Sequence, residues 1–301
     1  MSIDHAPHDN SSPNIATLVR PEGTLAGDPA DALDANNVCT AAFISDLHLL
    51  SSRCNYRDHE FAIRNAIEAA DVCVWGGDLF DFCWSCEGDG PKSRRLAIEW
   101  LDRWKREFPM KTFVYLTGNH DAQPEFQDAL AQWSGNTHQI SSDQSPRPEL
   151  SIQPAAVHVG LDAVRIGDCL MVHGDVIERG GMDGGLAAYR SRWQHERTGA
   201  DRPPAIRNSV YNAAVKARLH LATAGVAHRR KDVCLRLLRW TRSQPDWVSD
   251  GVRRIVFGHT HRRLRGVHIA GYEFYNGGAT VKHVPFAPIV LETEVSTERS
   301  G

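Results

Sequence analysis

Five short blocks of the chain combine residue types that bind metal ions: Ser45-Asp46-Leu47-His48, Gly76-Gly77-Asp78-Leu79-Phe80-Asp81, Gly118-Asn119-His120-Asp121, His173-Gly174-Asp175 and Gly258-His259-Thr260-His261. One Asp-x-His or His-x-His alone carries little weight in a chain with fifteen histidines. Five blocks in series, each placing Asp, Asn or His directly after an apolar run, carry far more. Residues two apart in an extended segment face the same side, so Asp46 with His48 and His259 with His261 each offer a ligand pair. Seven candidates (Asp46, His48, Asp78, Asn119, His173, His259 and His261) exceed one tetrahedral centre. Two divalent ions sharing a bridging carboxylate account for the number, with Asp78, from the middle block, as the bridge. Imidazole, carboxylate and amide donors suit Mn foremost, with Fe, Zn or Co as alternatives, better than Ca or Mg. Ions of this kind activate a bound water and stabilise charge on the oxygens of a group under attack.

These blocks need elements that bring them together. Apolar runs at residues 41–44, 72–75, 112–116, 169–172 and 255–257 predict buried strands, and residues 61–67 and 96–104 have helical spacing. Alternating strands and helices predict an α/β fold with a covered sheet, in which ligand sites gather at the carboxyl ends of the strands. Residues 155–159 and 163–166, separated by Gly160-Leu161-Asp162, predict a hairpin.

The polar segment 1–38 predicts a disordered leader, followed by one domain over 39–293 and a flexible tail over 294–301. Within the domain, 176–253 predicts a basic helical insertion with helices over 205–222 and 229–241. Residues 176–257 hold sixteen Lys/Arg against seven Asp/Glu. Arg229, Arg230 and Arg236 are its candidate substrate-binding residues, forming a lid or ledge that draws an anionic substrate to the metals.

At 301 residues with 42% hydrophobic content, the chain can bury a sizeable core. A net charge of −3 says nothing about partners as a global figure, because opposing patches cancel in the sum; no stable nucleic-acid partner is expected. The seven scattered cysteines suit a reducing compartment, and Cys83-Trp84-Ser85-Cys86, with no second pair at zinc-ribbon spacing, reads as packing. No window reaches the roughly 18 apolar residues of a membrane span. The expectation is a cytoplasmic protein, with peripheral contact at the inner face of a membrane through the basic insertion.

The order D-x-H, G-D-x-x-D, G-N-H-D, H-G-D, G-H-T-H resembles the calcineurin-like metallophosphoesterase superfamily over about residues 41–292. The resemblance implies a four-layer α/β/β/α sandwich. It also implies that Asp46, His48 and His261 hold one ion with Asp78, while Asn119, His173 and His259 hold the other with Asp78. It further implies that Asp81 orients His120, which faces the leaving group as general acid or charge stabiliser. Within that superfamily the Gly-Asp-Leu-Phe-Asp-Phe block and the helical insertion resemble the UDP-2,3-diacylglucosamine diphosphatases of lipid A synthesis, although this chain has His120 where those carry Arg. The implied reaction is hydrolysis, by a metal-bridging hydroxide attacking phosphorus in line, of an anionic phosphate ester or diphosphate, lipid-linked or nucleotide-linked. A nuclease or cyclic-nucleotide phosphodiesterase and a non-catalytic ligand-binding module are the alternatives. Asp121 and Asp175 are expected to fix histidine tautomers.

Overall fold

The computed structural model describes residues 12–21, 37–87, 90–135, 148–178, 185–195 and 229–296. Its strands, in chain order, are β1 (Ile15–Val19), β2 (Val38–Ile44), β3 (Val72–Trp75), β4 (Thr112–Leu116), β5 (Glu149–Ser151), β6 (Val157–Leu161), β7 (Ala163–Ile166), β8 (Cys169–Val172), β9 (Arg254–Phe257), β10 (Leu264–Ile269), β11 (Tyr272–Asn276) and β12 (Ile289–Glu294). They form a five-stranded sheet, β12-β2-β3-β4-β6, and a seven-stranded sheet, β10-β11-β9-β8-β7-β1-β5. In the first, β2, β3, β4 and β6 run parallel; in the second, β8, β9 and β11 do.

Side chains alternate across each strand, and both faces of the central strands are apolar because both are covered. Val72, Val74, Val114 and Leu116 from one sheet meet Cys169, Met171 and Val256 from the other in the layer between the sheets. The opposite residues, Cys73, Trp75, Phe113 and Tyr115, face out and pack under α1 (Glu60–Ala69), α2 (Gly90–Glu107) and α3 (Pro124–Ser134) through Ile63, Ile67, Leu101, Trp104 and Phe126. On the far side, Leu170, Val172, Ile255 and Phe257 are covered by Val233, Leu237, Leu238 and Trp240. These belong to α5 (Arg230–Arg242), the next described helix after α4 (Leu186–His195). The order is helix, sheet, sheet, helix, the expected sandwich. Among the described residues no helix is long and apolar enough to cross a membrane.

Three sequence expectations change. Residues 15–19, placed in the disordered leader, form β1, fully buried between β7 and β5. Its partners lie about 150 residues along the chain, and only that pairing gives the short apolar run a place to be buried. The segments around Gly160-Leu161-Asp162 are not a hairpin: β6 pairs with β4 in one sheet and β7 with β8 in the other. Leu161 is fully buried between the sheets, so the chain crosses from sheet to sheet there. The true hairpin joins β7 to β8 through Gly167-Asp168, with Gly167 at φ 57°, a backbone region that glycine enters without steric cost. Finally, the 176–253 insertion is in part the crossover that a parallel β8-β9 pair requires. Its last long helix, α5, belongs to the core of the sandwich. The helix expected over 205–222 lies outside the described residues.

Candidate metal centre

The five blocks follow β2, β3, β4, β8 and β9, at the carboxyl ends of the parallel strands of both sheets. The loops are held to one another by their own backbones: Asp46 N–H donates to the Gly77 carbonyl (3.0 Å), His48 N–H to the Asp78 carbonyl (3.1 Å) and Gly258 N–H to the His173 carbonyl (2.8 Å). Asp46, His48, Asp78, His259 and His261 all have φ between 47° and 62°, a left-handed conformation that costs roughly 1–2 kcal/mol for a residue with a Cβ. The paired ligands therefore converge through strained loop geometry and not through strand alternation. Strain of this kind persists where the surrounding structure over-determines it, typically at functional sites.

Two blocks need a missing side chain. A Cβ on Gly118 would lie 2.3 Å from Asp78 Oδ1, and one on Gly258 would lie 2.2 Å from Asp46 Oδ2. Glycine is the residue that lets these loops close on the carboxylates.

The loops assemble three groups of ligand atoms. Asp46 with His48 and His261, and Asp78 with His173 and His259, form two groups each compact enough for one ion, and His48, Asp81 and His120 form a third. Asp46, His48, Asp78, Asn119 and His173 are buried. His48 Nε2 and His261 Nε2 lie 2.9 Å apart, and His261 Nε2 is 3.3 Å from Asp46 Oδ1. His173 Nδ1 donates to the Gly76 carbonyl (2.9 Å), which leaves its Nε2 turned to Asp78 Oδ2 at 3.3 Å. That Nε2 and Asn119 Oδ1 are buried without a hydrogen-bond partner. Buried ligand atoms left without a hydrogen bond are what a cation would satisfy, and the nitrogen and oxygen donor set is the kind that takes a transition metal.

The electrostatics agree. Burial, then the Arg53 guanidinium, pushes His48 down to about 3, so its imidazole is neutral and able to ligate. Burial would lower His173, but the Asp78, Asp175 and Asp46 carboxylates overcome it and push the imidazole up to about 10. A surplus of negative charge therefore surrounds that nitrogen. Burial alone would raise Asp78, yet the surrounding histidines, His173 foremost, hold it well below the carboxylate range.

His120 and Asp81 lie against one another. Asp81 Oδ1 lies 3.1 Å from His120 Nδ1, and the His120 backbone N–H donates to Asp78 Oδ1 (2.7 Å). Burial lowers His120, and Asp81 and Asp78 more than reverse this, which favours a protonated ring. Asp81 also accepts from Arg53 Nη2 (2.6 Å) and lies 3.6 Å from His48 Nδ1.

Other residues are placed differently. Asp121 fixes no histidine: it accepts from Tyr115 Oη (2.6 Å), Gly118 N–H (2.9 Å) and Leu79 N–H (3.0 Å), tying two loops together. Asp175 pairs with Arg190 at 2.7 and 3.1 Å. Arg236 donates to the Ile177 carbonyl (3.0 Å), a structural contact at the foot of α5. Arg229 and Arg230 are exposed at the start of that helix, and no described contact brings them to the cluster.

Sequence reading missed Arg53, Arg190 and Glu178. Glu178 Oε1 lies 2.9 Å from His259 Nε2, the geometry by which a carboxylate orients a ligating histidine through its second nitrogen. It stands three residues after Asp175, the offset that separates Asp81 from Asp78, and this spacing is a signal the sequence carries.

No curated protein matches the chain. Among solved structures, a dimetal phosphatase from Danio rerio is similar at 16% identity, over 86% of this chain and 93% of that one, with a TM-score of 0.39. The sequence profile described as calcineurin-like phosphoesterase matches residues 40–263, a span that opens in β2 and closes just past His261 and so contains all five blocks. The chain belongs to the calcineurin-like phosphoesterase family and is a metal-dependent phosphoesterase.

Proposed function

We propose that the chain hydrolyses a phosphate ester or diphosphate bond using two divalent ions, Mn foremost. Asp46, His48 and His261 would hold one ion, Asn119, His173 and His259 the other, and Asp78 would be shared. The observation that carries this reading is the pair of buried ligand atoms that make no hydrogen bond, Asn119 Oδ1 and His173 Nε2, the second set 3.3 Å from Asp78 Oδ2. When bound, two such ions supply a water activated at neutral pH and neutralise charge building on phosphoryl oxygens.

The chain's own residues supply the rest. Asp81 holds His120 by Nδ1, which leaves Nε2 as the atom that gives a proton to the departing oxygen. The two carboxylates near His120 favour the protonated imidazole that this step needs. Glu178, by accepting from His259 Nε2, would leave Nδ1 as that residue's ligating atom. His173 donates Nδ1–H to Gly76 and so presents Nε2.

The substrate class is an anionic phosphate compound. A panel of p-nitrophenyl phosphate, bis-p-nitrophenyl phosphate and a UDP-sugar lipid separates monoesterase, diesterase and diphosphatase readings, including the lipid A-type reading. The role of His120 is tested by the slope of log kcat against leaving-group pKa. His120→Ala should lower kcat on the order of 10²- to 10⁴-fold for an alkyl ester and less for p-nitrophenyl esters. Parallel slopes in wild type and variant would remove His120 from leaving-group chemistry.

A further inference from the structure

Helix α4 lies against the metal centre, and one buried residue fixes it there. Arg190 donates Nε and Nη2 to Asp175 (2.7 and 3.1 Å) and Nη2 to the Thr117 carbonyl (2.6 Å), and it pairs with Asp162 through Nη1. It thus ties the helix to the loops after β4 and β8 and to the crossing between the sheets. Helical geometry then decides what faces the ligands. Tyr189 and Trp193 are four residues apart, one turn along the same face, with ring centroids 6.5 Å apart. The Trp193 ring lies 4.7 Å from that of His120, tilted by 45°, and the Tyr189 ring lies 6.5 Å from that of His259, nearly perpendicular.

Both rings are half-buried, and neither belongs to the apolar clusters that hold the sandwich together. Leu186, one turn before Arg190 on the same helix, does. The aromatic residues of α4 therefore meet the ligand histidine and the leaving-group histidine, while an aliphatic one does the packing. A ring set beside His120 stands where the departing group must pass.

We propose that Trp193, with Tyr189 beside it, forms a subsite for a leaving group that carries a flat aromatic ring, an aryl group or a nucleobase, stacked next to His120. The proposal deepens the phosphoester-hydrolase reading and rests on it for the identity of His120 as the leaving-group residue. Stacking on an aromatic side chain is sequence-tolerant and substantial, on the order of 5- to 100-fold in binding for one ring. Trp193 is a specificity residue in this account, and Arg190 a positioning residue that acts through it.

The test uses the full chain loaded with Mn. Calorimetric titration compares phenylphosphonate with methylphosphonate in wild type, Trp193→Leu and Trp193→Phe. Wild type should prefer the phenyl compound; Trp193→Leu should lose on the order of 5- to 100-fold of that preference; and Trp193→Phe should restore part of it. A preference that Trp193→Leu leaves unmoved, or that wild type lacks, overturns the subsite. A second arm measures kcat/KM for an aryl and a fluoroalkyl phosphate ester of matched leaving-group acidity. The aryl-to-fluoroalkyl ratio should fall in Trp193→Leu, whereas equal losses on both esters would reduce Trp193 to a support for His120. Phenyl preference without hydrolysis of any ester would sink the functional reading and keep the subsite. Hydrolysis with an unmoved ratio would do the reverse.

Discussion

Replacing Asp81 should cost folding stability as well as catalysis, because its carboxylate answers two cationic or ionisable groups. Asp81 is fully buried and Arg53 nearly so, with the guanidinium Nη2 2.6 Å from Oδ2. The other oxygen holds His120 and accepts the Trp84 backbone N–H at 3.3 Å. Asp81→Asn keeps the shape and one acceptor but removes the charge that the buried Arg53 guanidinium faces at 2.6 Å. Breaking a buried pair from one side costs about 3–5 kcal/mol. The retained amide oxygen favours the lower end, about 3 kcal/mol, which for a chain of this size is a fall in Tm of roughly 5 °C. Removing Arg53 as well should recover part of the loss, because the second substitution removes the guanidinium that lost the Asp81 charge, with a coupling of about 0.5–3 kcal/mol. Urea unfolding of wild type, Asp81→Asn, Arg53→Met and the double variant measures the cycle. Metal occupancy must be held constant, because ion binding itself stabilises the folded state. An Asp81→Asn variant within about 0.5 kcal/mol of wild type, or a strictly additive double variant, would refute the reasoning.

Two further outcomes follow from contacts away from that pair. Glu178→Gln should weaken metal affinity by about 10- to 100-fold at the site that includes His259, read by competition with a chromogenic chelator; unchanged affinity of both ions would mean that Glu178 does not orient His259. Asp168, on the opposite end of the sheets, is raised by burial but lowered more by its hydrogen bonds to Arg254 and Thr293. A depressed carboxylate contributes stability above its unfolded pKa of about 3.9 and loses it as pH falls through the folded value. Asp168→Asn should therefore destabilise the protein at pH 7 by about 1 kcal/mol or less, since the pair is partly solvent-screened. The difference should close as pH drops below about 4 in paired thermal melts, and a difference that grows toward acid would contradict the sign.

The five blocks were legible in the sequence because each follows a buried strand and uses side chains that have few other reasons to cluster. What they do locally was not legible. Asp46 and His48 read as neighbours on an extended strand, whereas their left-handed φ values of 55° and 47° turn both into the site. Arg53 and Arg190 carried no signal, since their meaning depends on Asp81, 28 residues away, and on Asp162, 28 residues away in the other direction. Strand β1 looked like part of a polar leader because its hydrogen-bonding partners are distant, and Leu161 read as a turn residue because only the second sheet buries it. The basic character of 176–257 suggested a substrate lid, but charge counts do not separate a solvated helix face from a binding one. The structure sets α5 over the sheet, and Tyr189 and Trp193 of α4, not Arg229 or Arg230, beside the metal-centre histidines.

The account turns on two ions sharing Asp78. The direct measurement is metal content per chain, by elemental analysis after reconstitution with Mn, for wild type and Asp78→Asn, with phosphoesterase activity followed in the same samples. The account predicts two ions per chain in wild type, activity lost on chelation and regained with Mn, and an Asp78→Asn variant that is depleted at both sites and slower by several orders of magnitude, since a bridging carboxylate serves both. An Asp78→Asn variant that keeps two tightly bound ions and near-normal turnover would contradict it.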